Sequence, residues 1–235
     1  MWNFTLVGGP GLLLAGCLIP ALLILFFLLA QVGLAGLAFT QLGLAPWQGV
    51  LLVLACLVGS RYDLPVHTRK RLVLDNGPLP GWPPTPEAGT TLPGGERNLV
   101  PQVLALNVGG CVIPGLMCAY VLSQTGLPVW MGLGLALSSA LCYGLARPRQ
   151  GRGLALAAWV PPLAGALAAM AFAPPGLAAL AAYVCGTLGA ILGAEVLYLV
   201  DRRNAGLLDQ PVITLGGRGT FWGIFLVGVV AGLLA

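Results

Sequence analysis

Residues 177–200 read LAALAAYVCGTLGAILGAEVLYLV, and residues 201–220 continue as DRRNAGLLDQPVITLGGRGT. The first stretch is apolar throughout except for one acid, Glu195. It is long enough to cross a hydrocarbon layer that takes roughly 20 helical residues. Ala182, Gly186, Ala190 and Ala194 recur at steps of four, with Gly189 and Gly193 alongside. Small residues at that spacing let helix backbones approach closely where no hydrophobic effect drives association. This helix is therefore expected at the centre of a bundle. The second stretch is a charged loop that ends in a glycine knot, Gly216-Gly217-Arg218-Gly219, with Thr220 as a candidate N-cap for the last apolar segment.

The composition around this stretch agrees with a membrane solvent. The chain is 58% hydrophobic and only 8% charged, whereas a soluble surface takes about a quarter of charged residues. Apolar segments fall at 12–38, 47–60, 103–122, 128–146, 154–172, 177–200 and 221–235, which predicts an all-α polytopic bundle of about seven spanning helices. Pro46 suits the first turn of the second segment. Pro161 and Pro162 predict a kink or break in the first third of the fifth. Residues 61–100 differ in character. They hold five basic residues, the single histidine His67 and a proline-rich run, PLPGWPPTPEAG, and are expected to form a polar loop, extended or disordered, with a turn at Asp75-Asn76-Gly77. The expected organisation is two helices in 1–60, a cytoplasmic proline-rich loop in 61–100 and a five-helix core in 101–235.

Charge placement tests that count. With the N-terminus inside, all 11 Lys and Arg residues fall on the cytoplasmic side, in the connections after segments two, four and six. This is the basic-residue asymmetry of membrane proteins, and it predicts an N-inside, C-outside topology. The N-terminus lacks a basic n-region and a cleavage site, so the first apolar run is expected to be retained as a helix.

Candidate chemistry is sparse. Glu195 is expected about 9 Å inside the cytoplasmic boundary, where a carboxylate must pair, protonate or face protein-lined water. Its helical neighbours Leu188, Ile191, Leu192 and Leu199 offer no partner, so the complement must come from Arg218, from Asn107 on segment three or from the basic turn at 147–152. Two readings follow, a functional acid that accepts a proton or cation or acts as a catalytic acid, and a packing-satisfied interfacial residue paired with Arg218. Glycines before a helix direct backbone amides toward a common point, so Gly216, Gly217, Gly219 and Thr220 with Arg218 form a candidate anion site for a phospholipid headgroup or for the Glu195 carboxylate. The knot has neither Walker nor dinucleotide-loop spacing. The six cysteines lie inside apolar segments without CxxC pairs, no metal site is expected, no motif identifies a cofactor, and no basic-aromatic patch points to nucleic acid. No Ser-His-Asp set or HExxH motif can be assembled.

The segments LNVGGCVIP (residues 106–114), AYVCGTLGAILGAEVLYL (182–199) and ITLGGRGTFWGIFLVGVVAGLLA (213–235) resemble an uncharacterised prokaryotic integral-membrane family, domain of unknown function 1614. GLAFTQLGLAPWQGVLLVLACLVGS (36–60) also fits. The resemblance implies an aspartate at the position of Glu195 and a second one at that of Trp222, two facing acids of an intramembrane proton or metal site or of a two-carboxylate enzyme. This chain carries glutamate at the first and tryptophan at the second. The function expected is small-solute, ion or proton transport or binding. The alternative is a non-enzymatic subunit or scaffold of a membrane complex with a degenerate two-acid site, and an enzyme ranks third. The expected setting is the inner membrane of a prokaryote, with the lipid bilayer and a membrane-protein partner or a second copy as partners.

Overall fold

Short apolar runs bounded by glycine and proline set the helices of this chain. The computed structural model describes residues 40, 43–74, 99–149, 153–201, 203–204 and 210–233. Helix α1, Pro46–Gly59, opens on a first-turn proline as expected, and its Gln48 side chain accepts the Ala45 amide at 2.8 Å. Helix α2, Val108–Thr125, begins as a π-helical turn over Val108–Val112, and Pro114 lies where that turn passes into α-helix. A proline supplies no amide to the preceding turn, which favours the wider register there. Helices α3, Val129–Leu145, and α4, Val160–Phe172, follow. Helix α5, Ala178–Val200, is continuous, with π geometry over Ala190–Leu197. Helix α6 is Phe221–Leu233.

Helix α5 is central, as its small-residue stripe predicts. A methyl group on Gly186 would lie 2.7 Å from Val227 of α6 and 3.0 Å from the Pro161 carbonyl of α4. On Gly189 and Gly193 it would strike Ser138 and Ser139 of α3 at 2.3 and 2.1 Å. These glycines therefore fix how near three helices approach the fourth. Residues of α5 enter both buried clusters, Tyr183, Val184 and Cys185 in one, and Ala190, Ile191 and Ala194 in the other.

The connections hold the main departure from expectation. Residues 63–74 and 99–102, expected within or beside a polar loop, and 103–107, expected to open the third apolar segment, are strands. Strand β1, Asp63–Leu74, pairs antiparallel with β2, Leu99–Asn107. Strands β3, Arg147–Arg149, and β4, Gly153–Ala155, form a second, small hairpin. Strand β5, Val212–Leu215, joins β2 in parallel, giving the order β1-β2-β5. Helix α2 consequently starts at Val108 rather than Val103, and α4 at Val160 rather than Leu154. Pro161 and Pro162 thus sit in the first turn of α4, where missing amides cost nothing, and they begin the helix instead of kinking it. His67 lies on β1 and is exposed.

The sheet gathers the α1–α2 and α5–α6 connections at one end of the bundle. The β3–β4 hairpin joins them there through the Leu156 amide, which donates to the Gly219 carbonyl at 3.1 Å. The turns at Gly126 and Gly176, both with positive φ, lie at the other end and carry no charge. The chain is mostly helical among the described residues, and α2 and α5 are long and apolar enough to cross a membrane. The other four helices are shorter apolar rods. The apolar segment expected at 12–38 and the turn expected at 75–77 lie outside the described residues, as does the proline-rich run.

Candidate functional site

Parallel pairing of β2 and β5 places two strand-to-helix elbows side by side. Leu106 and Leu215 are register partners, so Asn107 and Gly216 are the next residue on each strand. Both chains then turn into helices, α2 and α6. The elbows touch through glycine. A methyl group on Gly110 would lie 2.0 Å from the Gly216 carbonyl oxygen, and one on Gly216 would lie 2.5 Å from the Cys111 nitrogen. Gly216 also has φ of 70°, a left-handed conformation that side chains disfavour. Gly219 has its own reason, since a methyl group there would sit 1.8 Å from the Leu154 carbonyl of β4. Gly217 is less constrained, its nearest neighbour being the Thr214 carbonyl at 3.0 Å.

Glu195 reaches this elbow from the π-helical part of α5 and is 2% exposed. The Gly216 amide donates to both carboxylate oxygens, at 2.7 and 2.8 Å, and the Thr220 hydroxyl donates to Oε1. The anion at the glycine knot is therefore the chain's own carboxylate, one of the two occupants expected for it. It lies at the start of α6, where the helix dipole presents its positive end. Thr220 takes the N-cap position, with its carbonyl accepting the Ile224 amide at 3.1 Å. Its hydroxyl, expected to accept an amide of the first turn, instead donates to Glu195.

Arg218 is not the partner of Glu195. It sits at the tip of the turn, exposed, and among the described residues no hydrogen bond or ion pair engages its guanidinium. A backbone amide already at the elbow satisfies a buried carboxylate without desolvating a second charge, a cost that burying an ion pair would incur.

Asn107, 3% exposed, serves the other elbow. Its Oδ1 accepts the Gly110 amide at 2.8 Å, and its Nδ2 donates to the Ser60 carbonyl at 2.8 Å and to Asp63 Oδ1 at 2.9 Å. It ties the end of α1, the start of β1 and the start of α2. None of its hydrogen bonds goes to Glu195. Trp222 faces outward, 58% exposed, with its ring edge-on to Phe221 and Phe225. The position that the resemblance associates with a second acid thus opens on the outside of α6, and Glu195 is enclosed. The two do not form a facing pair in this chain.

Several participants carried no recognisable signal in the sequence. Cys111 packs on Gly216, and Ser60 and Asp63 hold Asn107. At the end of α5, the Tyr143 hydroxyl donates to Asp201, whose other oxygen accepts the Arg203 amide at 2.9 Å. These donors hold the Asp201 carboxyl below its ordinary value, the Tyr143 hydrogen bond contributing most. No group of three or more His, Cys, Asp or Glu able to hold a metal occurs among the described residues. A cavity of about 10 Å³, room for about one water, lies under the first elbow between Cys56, Gly109, Pro114 and Tyr183, and Glu195 does not line it.

Fold and site together define a helical protein with two membrane-length helices, closed at one end by a small mixed sheet whose two elbows are locked by polar side chains. The chain belongs to the family described as a protein of unknown function (DUF1614), which matches residues 57–234. Comparison with curated proteins and with solved structures found no match.

Proposed function

We propose that this protein is a multi-pass membrane scaffold, a non-enzymatic subunit whose rigid sheet end is offered to another membrane protein. The observation that carries this reading is the state of Glu195. Its oxygens are engaged by the Gly216 amide and the Thr220 hydroxyl, inside packed protein. A carboxylate used this way is a structural tie between α5 and α6.

Membrane embedding is supported by the outward surfaces. Leu133 and Leu137 of α3, Leu163, Leu167 and Met170 of α4, and Leu192 and Leu197 of α5 are exposed, a pattern that suits lipid as solvent. Exposed tryptophans sit at helix starts, Trp47 at one end of the bundle and Trp159 and Trp222 at the other, as in interfacial aromatic belts. The basic residues among those described, Arg61, Arg69, Lys70, Arg71, Arg147, Arg149, Arg203 and Arg218, lie in the connections of the sheet end. That end is the cytoplasmic one on this reading, and the inner membrane of a prokaryote is the setting.

Ion or proton transport is the second reading. It is favoured by the π-helical stretches at Val108–Val112 and Ala190–Leu197, which converge on the acid, since such irregularities are frequent at functional sites. Proteoliposomes loaded with a pH-sensitive dye separate the two. The scaffold reading expects wild-type proton flux equal to that of protein-free vesicles, together with a stable oligomer or stoichiometric partner in mild detergent. A wild-type flux that Glu195→Gln abolishes would overturn it.

A further inference from the structure

The start of α4 and the start of α6 form one seam at the sheet end. A methyl group on Gly223 would lie 2.8 Å from Pro161 and 3.5 Å from the Ala158 carbonyl, and the Leu156 amide is bonded to Gly219. Trp159 and Trp222 flank this seam, 62% and 58% exposed. Arg218 adjoins it, exposed and without an ion pair among the described residues. Arg147 is one strand away. It pairs with Ala155, whose Cα a methyl group on Gly219 would approach to 3.2 Å. Arg147 is also exposed, and it donates to the Gly144 and Ala146 carbonyls through one nitrogen, Nη1, at 2.9 Å.

We propose that this seam is a docking site for an anionic phospholipid, with Trp159 and Trp222 at the level of the glycerol backbone and Arg218, aided by Arg147, on the headgroup phosphate. The inference rests on the membrane embedding proposed above and not on the scaffold role. Charge complementarity selects the occupant. Among the described residues Glu195, the acid at the Gly216 elbow, is buried and already bonded and Arg218 has no ion pair, so two exposed guanidinium groups and two amphipathic rings lie at the seam. Tryptophan sits at the boundary between tails and headgroups, and arginine presents a fork of donors matched to phosphate.

The test uses the full chain in nanodiscs containing brominated phosphatidylglycerol or brominated phosphatidylcholine at equal mole fraction. Quenching of Trp222 is obtained as the difference between wild type and Trp222→Phe. Phosphatidylglycerol should be preferred about fivefold, the scale set by one basic residue at an anionic surface. Arg218→Gln should bring the ratio to about one, and Arg218→Lys should retain part of it and control for folding. Equal quenching by both lipids, or a preference unchanged in Arg147→Gln/Arg218→Gln, would overturn the site. So would displacement by millimolar inorganic phosphate, which would mark a free-anion site. Quenching of Trp47 but not Trp222 by both lipids would show the seam covered by protein and would also overturn it. Absence of quenching at every tryptophan would instead refute membrane embedding itself.

Discussion

The two elbows share a plan and differ in who completes them. Each follows one of a pair of parallel strands, each uses glycine where the other passes, and each starts a helix. At the first, the acceptor is local. Asn107 caps its own turn and accepts the Gly110 amide three residues on. At the second, the acceptor comes from a different helix, when Glu195 accepts an amide 21 positions away. A local cap forms as soon as its turn forms, whereas a distant one requires α5 and α6 to be docked. The first elbow therefore defines a turn, and the second reports that the bundle has assembled.

The largest expected effect treats both elbows alike. Gly110→Ala and Gly216→Ala each drive a methyl group into backbone at 2.0 and 2.5 Å, and each should cost about 4 kcal/mol or more, the scale of strain that a packed site cannot relax. Loss of monodisperse protein in detergent is the readout. A well-folded Gly110→Ala would break the claim that the elbows are in contact.

Next, Glu195→Ala should cost roughly 2–4 kcal/mol, because it orphans a buried amide and a buried hydroxyl together. Glu195→Gln, which keeps one carbonyl acceptor, should cost about half as much by thermal unfolding in detergent. Equal losses would mean that packing and not the hydrogen bonds holds α6.

Asn107→Asp should cost about 1–2 kcal/mol. It keeps the acceptor for Gly110 but loses the donors to Ser60 and Asp63 and sets two carboxylates together. Hydrogen exchange should show opening confined to the α1–β1 junction, whereas Glu195→Gln should loosen α6. If both variants open the same segments, the distinction between local and distant closure fails.

The smallest effect concerns Asp201. Its lowered pKa means that its contribution to stability is present above the unfolded value of about 3.9 and is lost as pH falls through the lower folded value. Tyr143→Phe should move the Asp201 pKa upward, read by carboxyl-carbon NMR, with little change in melting near neutral pH.

Much of the helical frame was legible in the residues. Period, proline and glycine placed α1, α3 and α5 nearly to their observed ends, and the small-residue stripe marked α5 as central before any contact was known. The sheet was harder to read because membrane-like apolarity hid it. Val103–Leu106 is parted from α2 by Asn107 alone, and a short apolar run does not distinguish strand from helix. A signal was nevertheless present in the alternation of Tyr62, Leu64 and Val66 and in the β-branched Val212-Ile213-Thr214. For the site, sequence brought Glu195 to the glycine knot but favoured the formal charge of Arg218 as its complement. A backbone amide has no letter in a sequence, so the donor that matters could be found only from geometry.

The parallel pairing has a consequence for biogenesis. The Gln102 side chain donates to the Gln210 carbonyl across 108 positions, and β2 leaves the ribosome long before β5 exists. At synthesis rates of about 5–20 residues per second, the β1–β2 hairpin waits several seconds with one edge open while α2 to α5 are made. The arrival of β5 then closes that edge and seats Gly216 on Glu195. The β5–α6 segment thus locks two strands made well before it, and a chain shortened before Val212 would keep its hairpin but leave that lock open.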